Sequence, residues 1–142
     1  MIQKLLKICL LIVLLHISKN ALAEDYLSPD NIEGSTTINA EMLIQLARDH
    51  ADLVIIDSRI KSDRRQGFIA GSISLSDTKT DCVSLLPLIG SKNTPTVFYC
   101  NGPKCRRSDI AVGIAKECGY NNIYWFRGGF EEWNKKQYLI SK

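Results

Sequence analysis

The segment Thr96–Gly119 restricts the fold more than any other, because it joins a buried strand to a helix through a short loop that opens on a thiol. Thr96-Val97-Phe98-Tyr99 is a β-branched and aromatic run after Pro95, the pattern of a strand covered on both sides. Cys100 follows at once. Ser108 is a suitable N-cap for a helix in which Ile110, Ala111, Ile114, Ala115 and Cys118 recur at helical spacing, until Gly119 offers a stop. The loop between them must turn sharply. Its backbone N–H groups and the positive end of the helix then point inward, which predicts a pocket that favours anions.

The rest of the chain supplies matching elements. Leu53-Val54-Ile55-Ile56 is a continuous apolar run ending at Asp57, which suits a strand of a parallel sheet. Asn39 reads as an N-cap, with Ile38 and Leu43 at the spacing of a hydrophobic staple and Met42, Leu43, Leu46 and Ala47 forming one apolar face. Residues 57–66 read as a loop or short helix, 68–75 as a further short strand, and Val83–Leu88 as a helical turn within the least patterned stretch, 76–94. Asn122–Phe126 is a strand between turns, and Phe130–Lys136 a final helix carrying Trp133. Strand and helix alternate, so the expected fold is a three-layer α/β domain with a mostly parallel central sheet flanked by helices.

Residues 1–23 read as a secretory signal: Lys4 and Lys7 precede an apolar run, and Ala21-Leu22-Ala23 is a small-x-small cleavage site before Glu24. The run is about half of the roughly 20 residues a membrane span needs, so no stable anchor is expected after cleavage. About 119 residues then remain, enough for one core and not two. Residues 24–33 mix acids with Pro29 and show no period, so they read as an N-terminal arm before a domain over 34–142. The chain has 18 Lys and Arg against 15 Asp and Glu, and the leader removes Lys4, Lys7 and Lys19 but no acid. The mature chain is formally neutral, which removes the electrostatic support for nucleic-acid binding. Cys9 and His16 leave with the leader. Cys82, Cys100, Cys105 and Cys118 remain, and a periplasmic or secreted chain allows three full pairings of them. Cys118 falls on the apolar face of its helix and reads as a core residue, while Cys82 is either paired or free.

At this point the residues resemble the rhodanese family of sulfurtransferases, over about residues 34–142. Leu53-Val54-Ile55-Ile56-Asp57-Ser58-Arg59 is similar to that family's strand ending in Asp-x-Arg. Gly67-Phe68-Ile69-Ala70-Gly71-Ser72 is similar to its Gly-His-Ile-x-Gly-Ala segment, with Phe68 in place of His. The thiol after a strand, Arg107-Ser108 opening a helix, and Arg127-Gly128-Gly129-Phe130 with Trp133 resemble its active loop and closing Gly-Gly-x-x-x-Trp. The resemblance implies sulfane-sulfur transfer: Cys100 takes sulfur from a small anionic donor such as thiosulfate, becomes a persulfide, and passes it to a thiol or a cyanide-like acceptor. No cofactor or metal is implied, and neither cysteine nor histidine recurs at metal-ligand spacing. The donor, the acceptor and the oligomeric state are left open.

The chemistry needs a thiolate, and a thiol at a helix N-terminus beside cations has a lowered pKa. Lys104, Arg106 and Arg107 are near in sequence and would supply positive potential. Pro103 has no N–H, so an anion cradle over 101–107 must draw its donors from some of Asn101, Gly102, Lys104, Cys105 and Arg106, with Gly102 supplying an unusual backbone angle and Arg106 or Arg107 contacting the donor. Asp57 and Arg59 read as structural support through an ion pair, as does Ser108 through its cap. Arg64 and Arg65 read as solvated, and His50 as a helix C-terminal dipole partner.

The loop also departs from the family. Arg-Ser follows the cysteine by seven and eight residues here, two more than in common rhodanese loops. Counted to Arg106 it reads Cys-x5-Arg, the spacing of the dual-specificity phosphatases that share the fold, although Tyr99 stands where those enzymes carry His. Cys105 adds a third reading, in which it resolves a Cys100 persulfide or sulfenic acid as a disulfide and the protein is a thiol-disulfide redox protein.

Overall fold

The computed structural model describes residues 25–142; the leader read over 1–23 lies outside the described residues. In chain order the elements are β1 (Thr36–Ile38), α1 (Ala40–Asp49), β2 (Val54–Asp57), α2 (Lys61–Arg64), β3 (Phe68–Ile69), β4 (Ile73–Ser74), a 3-10 turn (Asp77–Lys79), α3 (Cys82–Ile89), β5 (Thr96–Tyr99), α4 (Arg107–Glu117), β6 (Ile123–Phe126), α5 (Gly129–Lys135) and β7 (Ile140–Ser141). Five strands form one parallel sheet in the order β1-β6-β5-β2-β4. A separate antiparallel pair joins β3 to β7, with Phe68 opposite Ser141 and Ile69 opposite Ile140.

The three layers follow from the pleat, because successive residues of a strand face opposite sides. On one side Val97 and Tyr99 of β5 and Ile55 of β2 pack with Leu43 of α1 and Trp133 of α5. On the other, Phe98, Ile56 and Trp125 pack with Leu85 and Ile89 of α3 and Val112 and Ala115 of α4. All four residues of β5 are buried, which is why its sequence carries no alternation. Since β5 is the central strand, its carboxyl end delivers Cys100 to the middle of the sheet edge where ligands bind in open α/β folds.

Local chemistry fixes the helix starts. Asn39 Oδ1 accepts the Met42 N–H at 2.9 Å, as its N-cap reading requires. α3 is held by a reciprocal cap in which Asp81 accepts the Ser84 N–H (2.7 Å) and Ser84 Oγ accepts the Asp81 N–H (2.9 Å). Two expectations change. Met42 is 45% exposed and Ala47 is also exposed, so the covered face of α1 is Ala40, Leu43, Ile44 and Leu46. Ser108 is not a cap: α4 starts two residues earlier than that reading requires, with Arg106 at the N-cap position, and the buried Ser108 hydroxyl instead accepts the Trp125 indole N–H at 3.0 Å. A buried indole needs such a partner, and that requirement takes the side chain that capping would have used.

Cys118 packs against the core cluster on the α3–α4 side, as its place on the apolar face implies, and it is also paired. It forms a disulfide with Cys82, Cα to Cα 5.4 Å, which ties the end of α4 to the start of α3.

Candidate active site

Cys100 is 1% exposed and leads into a loop tied down on two sides. Its carbonyl accepts the Phe130 N–H (2.9 Å) and the Asn101 carbonyl accepts the Glu131 N–H (2.7 Å), so the loop begins against the first turn of α5. Gly129 makes that approach possible. Its φ is +57°, and a Cβ there would run into the Cys100 carbonyl oxygen and the Asn101 backbone. On a second side the Ser28 N–H donates to the Pro103 carbonyl at 2.7 Å. Arg127 clamps the arm that brings Ser28 there, donating to the Pro29 carbonyl (2.6 Å) and the Ser28 carbonyl (2.9 Å). Tyr26 donates its hydroxyl to Asp109, and burial together with that bond pushes its pKa up to about 12.

Within the loop, Cys105 N–H donates to the Gly102 carbonyl at 2.9 Å and closes a turn with Pro103 at its second position, where its fixed φ is favourable. The turn carries Cys105 back over Cys100. The two are joined as a disulfide, with Cα atoms 6.2 Å apart. Cys105 is the partly exposed member of the pair.

This geometry revises several sequence expectations. Gly102 does not supply a positive φ; it supplies room, since a Cβ there would meet the Glu131 side chain. Cys105 N–H is spent on the turn and leaves the cradle, whereas the N–H groups of Asn101, Gly102, Lys104 and Arg106 donate to no acceptor among the described residues. The three cations do not converge on the thiol. Arg107 pairs with Asp77 at 2.6 Å, Arg106 lies over the Tyr26 ring at 4.8 Å, and Lys104 is exposed.

Beneath the loop lies a buried ionic network. Arg59 meets Asp57 in a forked pair (Nε to Oδ1 2.9 Å, Nη2 to Oδ2 2.7 Å) and donates to the Gly67 carbonyl at 2.9 Å. Its guanidinium lies 4.2 Å from the Phe130 ring centre. Tyr99 donates its hydroxyl to Asp57 Oδ2 at 2.8 Å. Arg64, read as solvated, instead bonds Asp57 Oδ2 (2.9 Å) and the Ser72 hydroxyl (2.9 Å) and carbonyl (2.7 Å), because a buried carboxylate with a free lone pair recruits it. Burial alone would raise the Asp57 pKa, but the hydrogen bonds and charge of Arg59, with the Tyr99 hydroxyl, outweigh it and hold the carboxyl below its ordinary range. Burial and the Asp57 charge push the Tyr99 hydroxyl well above its own.

A cleft of about 320 Å³ opens beside the loop, lined by Arg59, Asp63, Gln66, Asn101, Phe130, Glu131 and Asn134. Asn101 Nδ2 donates to Asp63 at 2.8 Å, so its side chain forms one wall. Ser28 and Ser58 were missed by sequence reasoning and hold buried hydroxyls with no partner among the described residues. Each is tied by its own N–H to the loop or the strand feeding it, at the Pro103 and Tyr99 carbonyls. No sequence signal marked Ser28, since an arm without period gives no hint of where it docks. The Gly-Pro-x-Cys turn was legible in principle from Pro103. Among the described residues no cluster of His, Cys, Asp and Glu is arranged to hold a metal ion, and no helix is long and apolar enough to cross a membrane.

A parallel sheet with a thiol loop at its central carboxyl edge, braced by Asp-x-Arg and Gly-Gly-x-x-x-Trp, defines one class of domain. The Rhodanese-like domain family profile matches residues 39–136, and the chain belongs to that family. A rhodanese domain-containing protein of Drosophila melanogaster is 33% identical over 104 residues, 64% of this chain and 90% of that one. Among solved structures, the BH2092 protein of Bacillus halodurans aligns with a TM-score of 0.66 at 22% identity, covering 75% of this chain and 77% of that one. A thiosulfate sulfurtransferase from Pseudomonas aeruginosa aligns at 0.61 and 21% identity, over 75% of this chain but 20% of that one. A Rhodopseudomonas palustris protein described as a possible tyrosine phosphatase aligns at 0.62 and 23% identity, over 80% of this chain and 98% of that one. At these identities the structural likenesses establish the fold alone.

Proposed function

We propose that the protein is a rhodanese-type sulfurtransferase of the periplasm or extracellular space, in which Cys100, once released from its disulfide, accepts a sulfane sulfur from a small anionic donor such as thiosulfate. The observation that carries this reading is the position of Cys100. It sits at the carboxyl end of the central parallel strand, in a loop where four backbone N–H groups lack acceptors. Such N–H groups stabilise a thiolate and then a persulfide without a cationic side chain. The two disulfides, Cys82–Cys118 and Cys100–Cys105, support an oxidising compartment. The phosphatase reading has no comparable support, since Arg106 lies on Tyr26 and the Tyr99 hydroxyl is spent on a hydrogen bond to Asp57.

The redox reading is favoured by one observation, the Cys100–Cys105 bond itself. Wild-type protein kept reduced by excess dithiothreitol and given thiosulfate should turn over sulfite, and Cys100→Ser should abolish that while keeping the circular dichroism of the wild type. Turnover retained in Cys100→Ser refutes the proposal.

A further inference from the structure

The Cys100–Cys105 pair points to a fate for the transferred sulfur that a single-cysteine loop lacks, and the inference rests on the sulfurtransferase reading above. Cys100 is almost wholly enclosed, so an external acceptor must reach a persulfide through the loop. Cys105 is already there. The Gly102–Cys105 turn, fixed by Pro103 and by the Cys105 N–H bond, holds the two Cα atoms 6.2 Å apart, within the range a disulfide spans. Ser28 braces the same turn through the Pro103 carbonyl. A second thiol held at that range acts as an intramolecular reactant, with an effective concentration that a diffusing acceptor does not match.

We propose that Cys105 is a resolving thiol and that the protein thereby releases sulfane sulfur as hydrosulfide. In the first step the Cys100 thiolate attacks the outer sulfur of thiosulfate, forming the persulfide S–S bond and expelling sulfite. In the second, the Cys105 thiolate attacks Cys100 Sγ; the Sγ–Sγ bond forms, the bond to the sulfane sulfur breaks, and that sulfur leaves as hydrosulfide with the proton given up by Cys105. The sulfane sulfur gains two electrons, and the two thiols lose them as they become the disulfide. An external dithiol completes the cycle by attacking Cys105 Sγ, since Cys105 is the more exposed of the two residues, with Cys100 as the leaving thiolate in a loop whose N–H groups have no other acceptor. The donor side is that of the proposed transferase; the product is sulfide.

The test is a single turnover. Wild type, Cys105→Ser and Cys105→Ala are fully reduced, freed of reductant and mixed with thiosulfate, then assayed for sulfide and by intact mass. Folding of each variant is checked by circular dichroism. Wild type should release sulfide stoichiometric with chain and end two hydrogens lighter than its reduced form. Both Cys105 variants should gain one sulfur atom on Cys100 and release none. If wild type keeps the added sulfur and releases no sulfide, the resolving role is overturned while the transferase reading stands. If neither variant gains sulfur and wild type releases none, both are overturned.

Discussion

Replacing both cysteines of the Cys82–Cys118 bridge by serine tests how much of this domain's stability is stored in its unfolded chain. The bridge closes a loop of 36 residues of sequence separation, and chain-entropy bookkeeping gives about 4 kcal/mol at 25 °C for a loop of that size. The same relation gives only about 2 kcal/mol for the five-residue Cys100–Cys105 loop, so the two bridges should separate cleanly. For a domain of this length the unfolding entropy is about 0.25 kcal/mol/K, so the larger loss lowers Tm by about 15 °C. Neither serine leaves a large void, because Cys82 is exposed and Cys118 half-buried. The assay is urea and thermal unfolding of oxidised wild type, Cys82→Ser/Cys118→Ser and Cys100→Ser/Cys105→Ser. A loss below about 1 kcal/mol in the first variant, or a larger loss in the second, would refute the loop-entropy reasoning.

Asp57→Asn should cost about 3–5 kcal/mol in urea unfolding, because it leaves Arg59 and Arg64 facing an uncharged partner inside the fold; a loss below about 1 kcal/mol would contradict the network's role. The same carboxyl sets a pH dependence. Its folded pKa lies below the ordinary value of about 3.9, so its contribution is present above that pH and is lost as pH falls through the lowered folded value, read as a fall in Tm from about pH 4 downward that Asp57→Asn lacks. Gly129→Ala should cost about 2 kcal/mol or more, since it strains a φ of +57° and drives a methyl into the Cys100 carbonyl. Gly128→Ala, at an ordinary φ of −63° and opposed by the Glu132 side chain rather than by backbone, should cost less in the same unfolding experiment, and a reversed order would refute the packing argument.

The sheet's inner strands were legible because burial on both faces writes itself as unbroken apolar runs, as in Val54–Ile56 and Thr96–Tyr99. β1 and β7 were not, since strands of three and two residues carry no period and exist through their partners. At the site, Cys100 and the Asp57–Arg59 pair were legible from order and type. The destinations of Arg64, Arg106, Arg107 and Ser108 were not, because each is decided by a partner distant in sequence or by a competing local demand. The cysteine pairing was equally hidden, since spacing allows three solutions and only the folded distances choose.

The strand order has a consequence for how the chain is made. Thr36 of β1 stands opposite Tyr124 of β6, so the first strand finds its ladder partner only after nearly the whole chain has been synthesised. β6 also closes the flank of β5, opposite Thr96–Tyr99. A growing chain that stops short of Ile123 therefore holds its wholly buried central strand with an open edge, the form most prone to pair with another copy. The domain is obliged to fold late, and once, with its last quarter serving as the key to the first.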